Sequence, residues 1–199
     1  MDDAFDALSS EEKGQQFSEF FLIKHKLNVN VLPIDKEQVP RLAALDDTMP
    51  YAFKIAGELA SIEAQALRPL RNIGGHAAEL AQFLNAQSRK IDLMMSYILH
   101  QQDEESLRFE SIRFGGGGIE VKSNQAFDIG ESVELKIFLT EEASAVFCYA
   151  EVISSEAVED GFIIALIYSR IRETDQELLV RASLHLQAQQ LRKRSESKD

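Results

Sequence analysis

The apolar residues of this chain keep two rhythms, helical in the first half and alternating in the second. The clearest run is Ile73, Ala77, Leu80, Leu84, Gln87, Ile91, Met94 and Ile98, spaced 4,3,4,3,4,3,4. This is a heptad a/d seam with one polar member, and it predicts a helix over about 73–102. At about 1.5 Å per residue such a helix is roughly 45 Å long, more than a small β domain can cover. Met95 and Leu99 widen its stripe, while Gly74-Gly75 lowers helicity at its head, so that it starts near His76. Two arrangements satisfy the pattern. One is packing within the chain against a second helix, predicted over about 48–67 from Tyr51, Ile55, Leu59, Ile62 and Ala66. The other is self-association, with Gln87 setting register or oligomer number.

Ahead of these helices the pattern is weaker. Residues 1–12 have no apolar period and are expected to fray; Phe17, Phe20, Phe21 and Ile23 predict a short amphipathic helix within 16–26. Val29, Val31 and Pro33 read as extended chain, and 38–44 as a short helix with Pro40 in its first turn. Thr48 is the expected cap of the 48–67 helix, which should end near Pro69.

Beyond residue 106 the period becomes two. Val133, Leu135, Ile137 and Leu139 form one strand face; Val146, Cys148, Ala150 and Val152 a second; Phe162, Ile164, Leu166 and Tyr168 a third. Turn residues separate them, with no helices between, which argues an antiparallel barrel or sandwich rather than a parallel sheet. Thr174-Asp-Gln-Glu177 reads as a capping box opening a last helix to about Arg192. The fold class is therefore α+β: N-terminal helices including the long heptad helix, then a small antiparallel β-barrel and a C-terminal helix. The expected division is 1–104, helical, and 105–199, barrel plus helix, with the barrel half able to fold alone.

Between the two rhythms stands Arg108-Phe-Glu-Ser-Ile-Arg-Phe-Gly-Gly-Gly-Gly-Ile-Glu-Val121. Glycine admits positive φ and close backbone approach, so Gly115 to Gly118 suit a tight turn between paired strands. An anion cradle is the other reading, but Ile119 stands where a phosphate loop needs Lys, and a strand rather than a helix follows the run.

Composition narrows the function. With 45% hydrophobic residues in 199, the chain can bury a real core. No window approaches the roughly 18 apolar residues of a membrane span, and the acidic opening lacks the basic and apolar regions of a signal peptide. The chain reads as cytoplasmic. A net charge of -12 argues against nucleic acid and anionic lipid. The cationic run Arg192-Lys-Arg194 reads as a solvated tail. The single Cys148 sits in a strand pattern, where a buried inert thiol is expected. His25, His76, His100 and His185 are scattered without ligand spacing, so neither metal nor cofactor is expected.

Residues 106–192 resemble a PilZ domain, the β-barrel family that binds cyclic di-GMP. Three stretches carry the resemblance: Gly117-Gly118-Ile119-Glu-Val; Phe127-Asp-Ile-Gly130-Glu-Ser-Val-Glu-Leu135; and Phe162-Ile-Ile-Ala-Leu-Ile-Tyr168 before the helix opened by Asp175-Gln-Glu-Leu-Leu. The family's ligand motifs are R-x-x-x-R and D/N-x-S-x-x-G, in which arginines grip phosphates and stack on guanines while the acid or amide and the serine hold a base edge. A guanidinium suits that task because it is planar, charged and offers a fork of donors. With Gly118 set on the motif glycine, Arg113 replaces the acid and Gly115 the serine; Arg108 and Arg113 are five apart rather than four. The resemblance also implies a tetramer, since xanthomonad-type members lacking the ligand motifs assemble through a long heptad helix like Ile73 to Ile98.

The reading that follows is a non-enzymatic PilZ-type adaptor of the cyclic di-GMP system, oligomeric through the heptad helix and acting on a protein partner. A second reading is a cyclic di-GMP receptor with a rearranged site drawn from Arg108, Arg113, Gly117 and Gly118, with Arg89 or Arg192 to Arg194. A third, an enzyme built on Glu110 or Asp103, shows no nucleophile, base and orienter at workable spacing.

Overall fold

The computed structural model describes residues 5–70 and 77–196, with side chains except at 63–70, 77–79, 81 and 196. Helix α1 spans Ser10–Glu19, followed by strand β1 (Ile23–Lys24) and strand β2 (Asn28–Ile34). Two 3-10 turns lead to α2 (Leu45–Thr48), α3 (Tyr51–Leu70) and α4 (Ala77–His100). The strands β3 (Arg108–Phe114), β4 (Gly118–Ser123), β5 (Ser132–Leu139), β6 (Ser144–Val158) and β7 (Gly161–Arg170) follow, then α5 (Glu173–Glu196).

Six strands close a barrel in the order β3-β2-β5-β6-β7-β4, every neighbour antiparallel, with β3–β4 pairing sealing the ring. Alternation decides what lies inside. Val29, Val31, Val121, Val133, Leu135, Ile137, Cys148, Ala150, Ile164 and Leu166 fill the interior with Leu179 of α5. A second cluster on the outer wall joins Phe138, Phe147 and Tyr149 to Leu45, Phe53 and Ala56, and to Met95 and Leu99 of α4. Phe53 sits 6.0 Å from both Phe138 and Phe147, ring centre to ring centre.

The strand β2 comes from the half read as helical. It runs in register with β5 from Asn28↔Phe138 to Ile34↔Ser132, and with β3 from Asn28↔Glu110 to Asn30↔Arg108. The barrel thus draws on both sides of the expected division at 104/105. Where β1 passes to β2 along the edge of β3, Ser111 mends the break: its Oγ donates to the His25 carbonyl at 2.8 Å and accepts from the Leu27 N–H at 2.8 Å. Ser111 is buried, so both backbone groups would otherwise be unpaired in the interior.

Several elements differ from expectation in detail. The first helix begins six residues earlier, because Ser9 and Glu12 form a capping box, each side chain bonding the other's backbone N–H. Residues 38–44 make 3-10 turns at Lys36–Gln38 and Leu42–Ala44 rather than one helix. Thr48 is the last residue of α2, its hydroxyl bonding back to the Leu45 carbonyl, rather than the cap of α3; α3 ends at Leu70, beside Pro69 as expected. The last helix starts at Glu173, placing Thr174 inside it.

A fragment of residues 105–199 lacks β2 and leaves the facing edges of β3 and β5 open over an apolar interior. It is expected to aggregate or stay unfolded by circular dichroism, whereas a chain starting at residue 5 folds cooperatively.

Candidate functional site

The hairpin from β3 to β4 carries the four residues singled out from the sequence. The Gly115 N–H donates to the Gly118 carbonyl at 3.0 Å, and the Gly117 carbonyl accepts from the Tyr168 N–H at 3.1 Å. None of these glycines needs positive φ, which occurs instead at Gly130 (89°) and Gly161 (121°). Their requirement is close approach. A Cβ on Gly115 would lie 2.1 Å from the Phe21 carbonyl oxygen, one on Gly117 would lie 1.9 Å from the Phe20 ring, and one on Gly118 would lie 2.4 Å from the Phe17 ring. The glycine run is a seat for α1 and the segment after it. It also meets α5, where Gln176 Nε2 donates to the Gly116 carbonyl at 2.9 Å.

Helix α1 is pinned to this face by charge. The Lys13 ammonium is within 2.8 Å of both carboxylate oxygens of Glu151 on β6, and both side chains are buried. The same ammonium lies 4.7 Å above the Phe5 ring centre. Nearby, the buried Arg170 donates to Asp6 at 2.6 Å. Two clefts border Phe20. One of about 650 Å³ is lined by Phe17, Leu22, Arg113, Glu120, Ile163 and Ala165 among others. The other, of about 340 Å³, includes Leu8, Gly116, Gly117, Ile167 and Tyr168.

Both candidate arginines are engaged within the chain. Arg113 makes a two-pronged contact with Glu120 on β4, Nε to Oε2 at 2.6 Å and Nη2 to Oε1. Arg108 Nε donates to both oxygens of Asp103, at 3.1 and 2.9 Å. Asp103 also accepts from Asn30 at 2.9 Å and Asn28 at 3.1 Å, while the Asn30 Oδ1 accepts from the Glu104 N–H. This cluster moors the junction between α4 and β3 to β2. Burial alone would raise the Asp103 carboxyl, but the hydrogen bonds from Arg108, Asn30 and Asn28 hold it below the ordinary value. Of the other residues weighed, Glu110 pairs with exposed Lys26 at 2.7 Å, Arg89 lies on α4, and Arg192–Arg194 close α5.

The chemistry of the interior is quiet. Cys148 is fully buried, and burial pushes its thiol well above the usual range, with Asp175 and Glu134 adding to the effect. Among the described residues the buried Tyr168 hydroxyl has no hydrogen-bond partner, and burial raises it likewise. Among the described residues no three His, Cys, Asp or Glu side chains come together to hold a metal.

The seam residues lie elsewhere, on α4. Leu80, Leu84, Ile91, Met94 and Ile98 are exposed, at 39% to 66%, and Gln87 is partly so. Ala77 begins the helix without a described side chain, and Ile73 lies outside the described residues. Among the described residues, therefore, the seam is not buried on α3. What α4 packs on the barrel is the adjacent stripe of Met95 and Leu99.

A family model described as PilZ domain matches residues 85–185, just over half of the 199-residue chain. No curated protein matches. Among solved structures, the chain is similar to a tetrameric PilZ domain protein from Xanthomonas campestris, described as self-assembled via an unusual helical bundle. Identity is 16%, coverage is 87% of this chain and 91% of that one, and the TM-score is 0.57. A second similar structure is the Bacillus subtilis inhibitor of motility, 16% identical over 86% of this chain and 51% of that one, with a TM-score of 0.46.

Because its folded-state value is lowered, Asp103 contributes stability above the unfolded Asp value of about 3.9 and loses it as pH falls through the folded value. In urea unfolding, Asp103→Ala is expected to cost about 1–2 kcal/mol at pH 7, and the gap from wild type should narrow below about pH 3.9. A gap independent of pH would assign the loss to packing instead.

Proposed function

Since the chain belongs to the PilZ domain family, we propose that it is a non-enzymatic adaptor of the cyclic di-GMP system that does not take the dinucleotide through the family's usual motif. The observation that carries this reading is the state of the hairpin. Arg108 and Arg113 are matched to Asp103 and Glu120, and Gly117 and Gly118 lie under Phe20 and Phe17. A dinucleotide with two phosphates would have to break both ion pairs and displace α1. The acid and the serine that hold a base edge are also replaced, by Arg113 and Gly115. Each charge-assisted hydrogen bond lost removes on the order of 1.5–3 kcal/mol, or roughly ten- to a hundredfold in affinity.

The adaptor acts as an oligomer through α4. Beside the exposed seam stand Phe83, Leu93 and Tyr97, exposed at 58%, 65% and 68%, while Met95 and Leu99 already face the barrel. A two-stranded seam covers only a narrow a/d stripe, so the wider apolar surface favours a bundle of more than two helices. The likeness to the tetrameric Xanthomonas campestris protein supports the same arrangement. Gln87, the polar member of the seam, sets the register. Its placement in the cytoplasm belongs to the same reading; among the described residues, no helix is long and apolar enough to cross a membrane.

Calorimetric titration with cyclic di-GMP is expected to show no saturable binding at low micromolar concentration. Saturable binding abolished by Arg108→Ala or Arg113→Ala would instead establish a receptor with a rearranged arginine site.

Sedimentation is expected to show an oligomer at micromolar concentration, and Ile91→Asp to give monomers. A carboxylate buried in the seam carries a cost of several kcal/mol. A monomeric wild type would end the assembly reading.

A further inference from the structure

Helix α1 and the segment after it are seated on the barrel with open clefts beside them. The two clefts of about 650 and 340 Å³ both reach Phe20, so its ring is flanked by open space over the glycine seat. Its own helicity is weak as well. Ten residues is short for an isolated helix, and Gly14 stands mid-helix with nothing within 4 Å of where a Cβ would be, so no packing requires a glycine there. What holds α1 in place is a short code on one face: Lys13 on Glu151, Phe17 on Gly118, and Phe20 just beyond the helix on Gly117. Within α1 only Lys13 and Phe17 are buried, and Phe20 is partly so.

We propose that the barrel face beneath α1 is a docking surface for an amphipathic helix of a partner protein, and that α1 is its intramolecular occupant. The face specifies what replaces it. Glu151 is only 7% exposed, and a buried carboxylate left without a cation is unfavourable, so the incoming helix must bring a lysine or arginine. Gly117 and Gly118 leave ring-sized hollows in the backbone surface, so it must bring aromatic residues four and seven positions after the cation, the spacing of Lys13, Phe17 and Phe20. Displacement exchanges one such helix for another and leaves the strand ladders of the barrel intact. This inference names a partner class for the adaptor proposed above and rests on that reading.

The test uses the full chain and a fluorescent peptide of its own residues 5–22. Phe17→Ala in the protein frees the face, and the peptide is expected to bind this variant saturably, at least tenfold more tightly than it binds wild type. Adding Glu151→Gln to the protein, or Lys13→Met to the peptide, should each weaken binding at least tenfold. No saturable binding to a Phe17→Ala chain that is folded by circular dichroism would overturn the proposal, as would binding indifferent to Glu151→Gln. Should Phe17→Ala prevent folding, hydrogen exchange on the wild type decides. The α1 amides are expected to exchange at least tenfold faster than those of β5 and β6, and equal protection would overturn the proposal. The cyclic di-GMP titration and the sedimentation result bear on the adaptor reading, and the peptide result on the face alone.

Discussion

The ladder between β2 and β5 is the interaction on which the rest of the molecule depends. Without it β3 and β5 would be open edges and the barrel a curled sheet; with it, every strand of the ring has two neighbours. Because β2 is held there, Asn30 reaches Asp103 and Glu104 and fixes where α4 hands over to β3. Because β1 continues along β3, the chain before it must cross the glycine hairpin, and α1 lies over β4, β6 and β7 as a result. The helices α3 and α4 leave from one side of this ring and α1 covers another.

Charge in this protein serves mainly to moor elements to the barrel. Lys13–Glu151, Arg170–Asp6, Arg108–Asp103 and Arg172–Asp175 each join an element to its neighbour or close a helix start, and Arg108 would otherwise be a candidate for an anion. A buried pair of this kind adds little net stability compared with an apolar packing of equal volume, but breaking one partner is costly. It therefore fixes which segment sits where. Arg113 shows the consequence most directly: at the position where the family resemblance expects an acid, the chain has a base, and the base is matched by Glu120 on the adjacent strand.

The parts of the fold that were legible in the sequence are those with a local period. The alternation at Val133 to Leu139 and Phe162 to Tyr168, and the heptads ending at Ile98, are properties of neighbouring residues, and they appear as β5, β7 and α4. Strand β2 was visible only as extended chain around Val29 and Val31, because its membership of the barrel depends on pairing with residues far along the sequence. The site was half legible. Arg113 and the glycines were singled out, but as ligand contacts or a turn; their partners Glu120, Phe17 and Phe20 are set by tertiary packing. Lys13 and Glu151 carried no signal beyond an ordinary charged residue in each element, while Ser9 and Glu12 carried a plain one, the spacing of a capping box, that announces α1.

The separation of β2 from its partner also orders events in time. Asn28 and Phe138 are roughly a hundred residues apart, so this pairing is of high contact order and the loop it closes must be drawn in before the barrel interior is sealed. On the ribosome, β2 emerges early and waits for β5, and for β7 to complete the wall. The helices α3 and α4 emerge in between, with their apolar surfaces already formed by local bonds. Those surfaces are therefore exposed while the barrel is still open. Exposure of the helices ahead of ring closure is the kinetic counterpart of a barrel whose early strand β2 waits for β5.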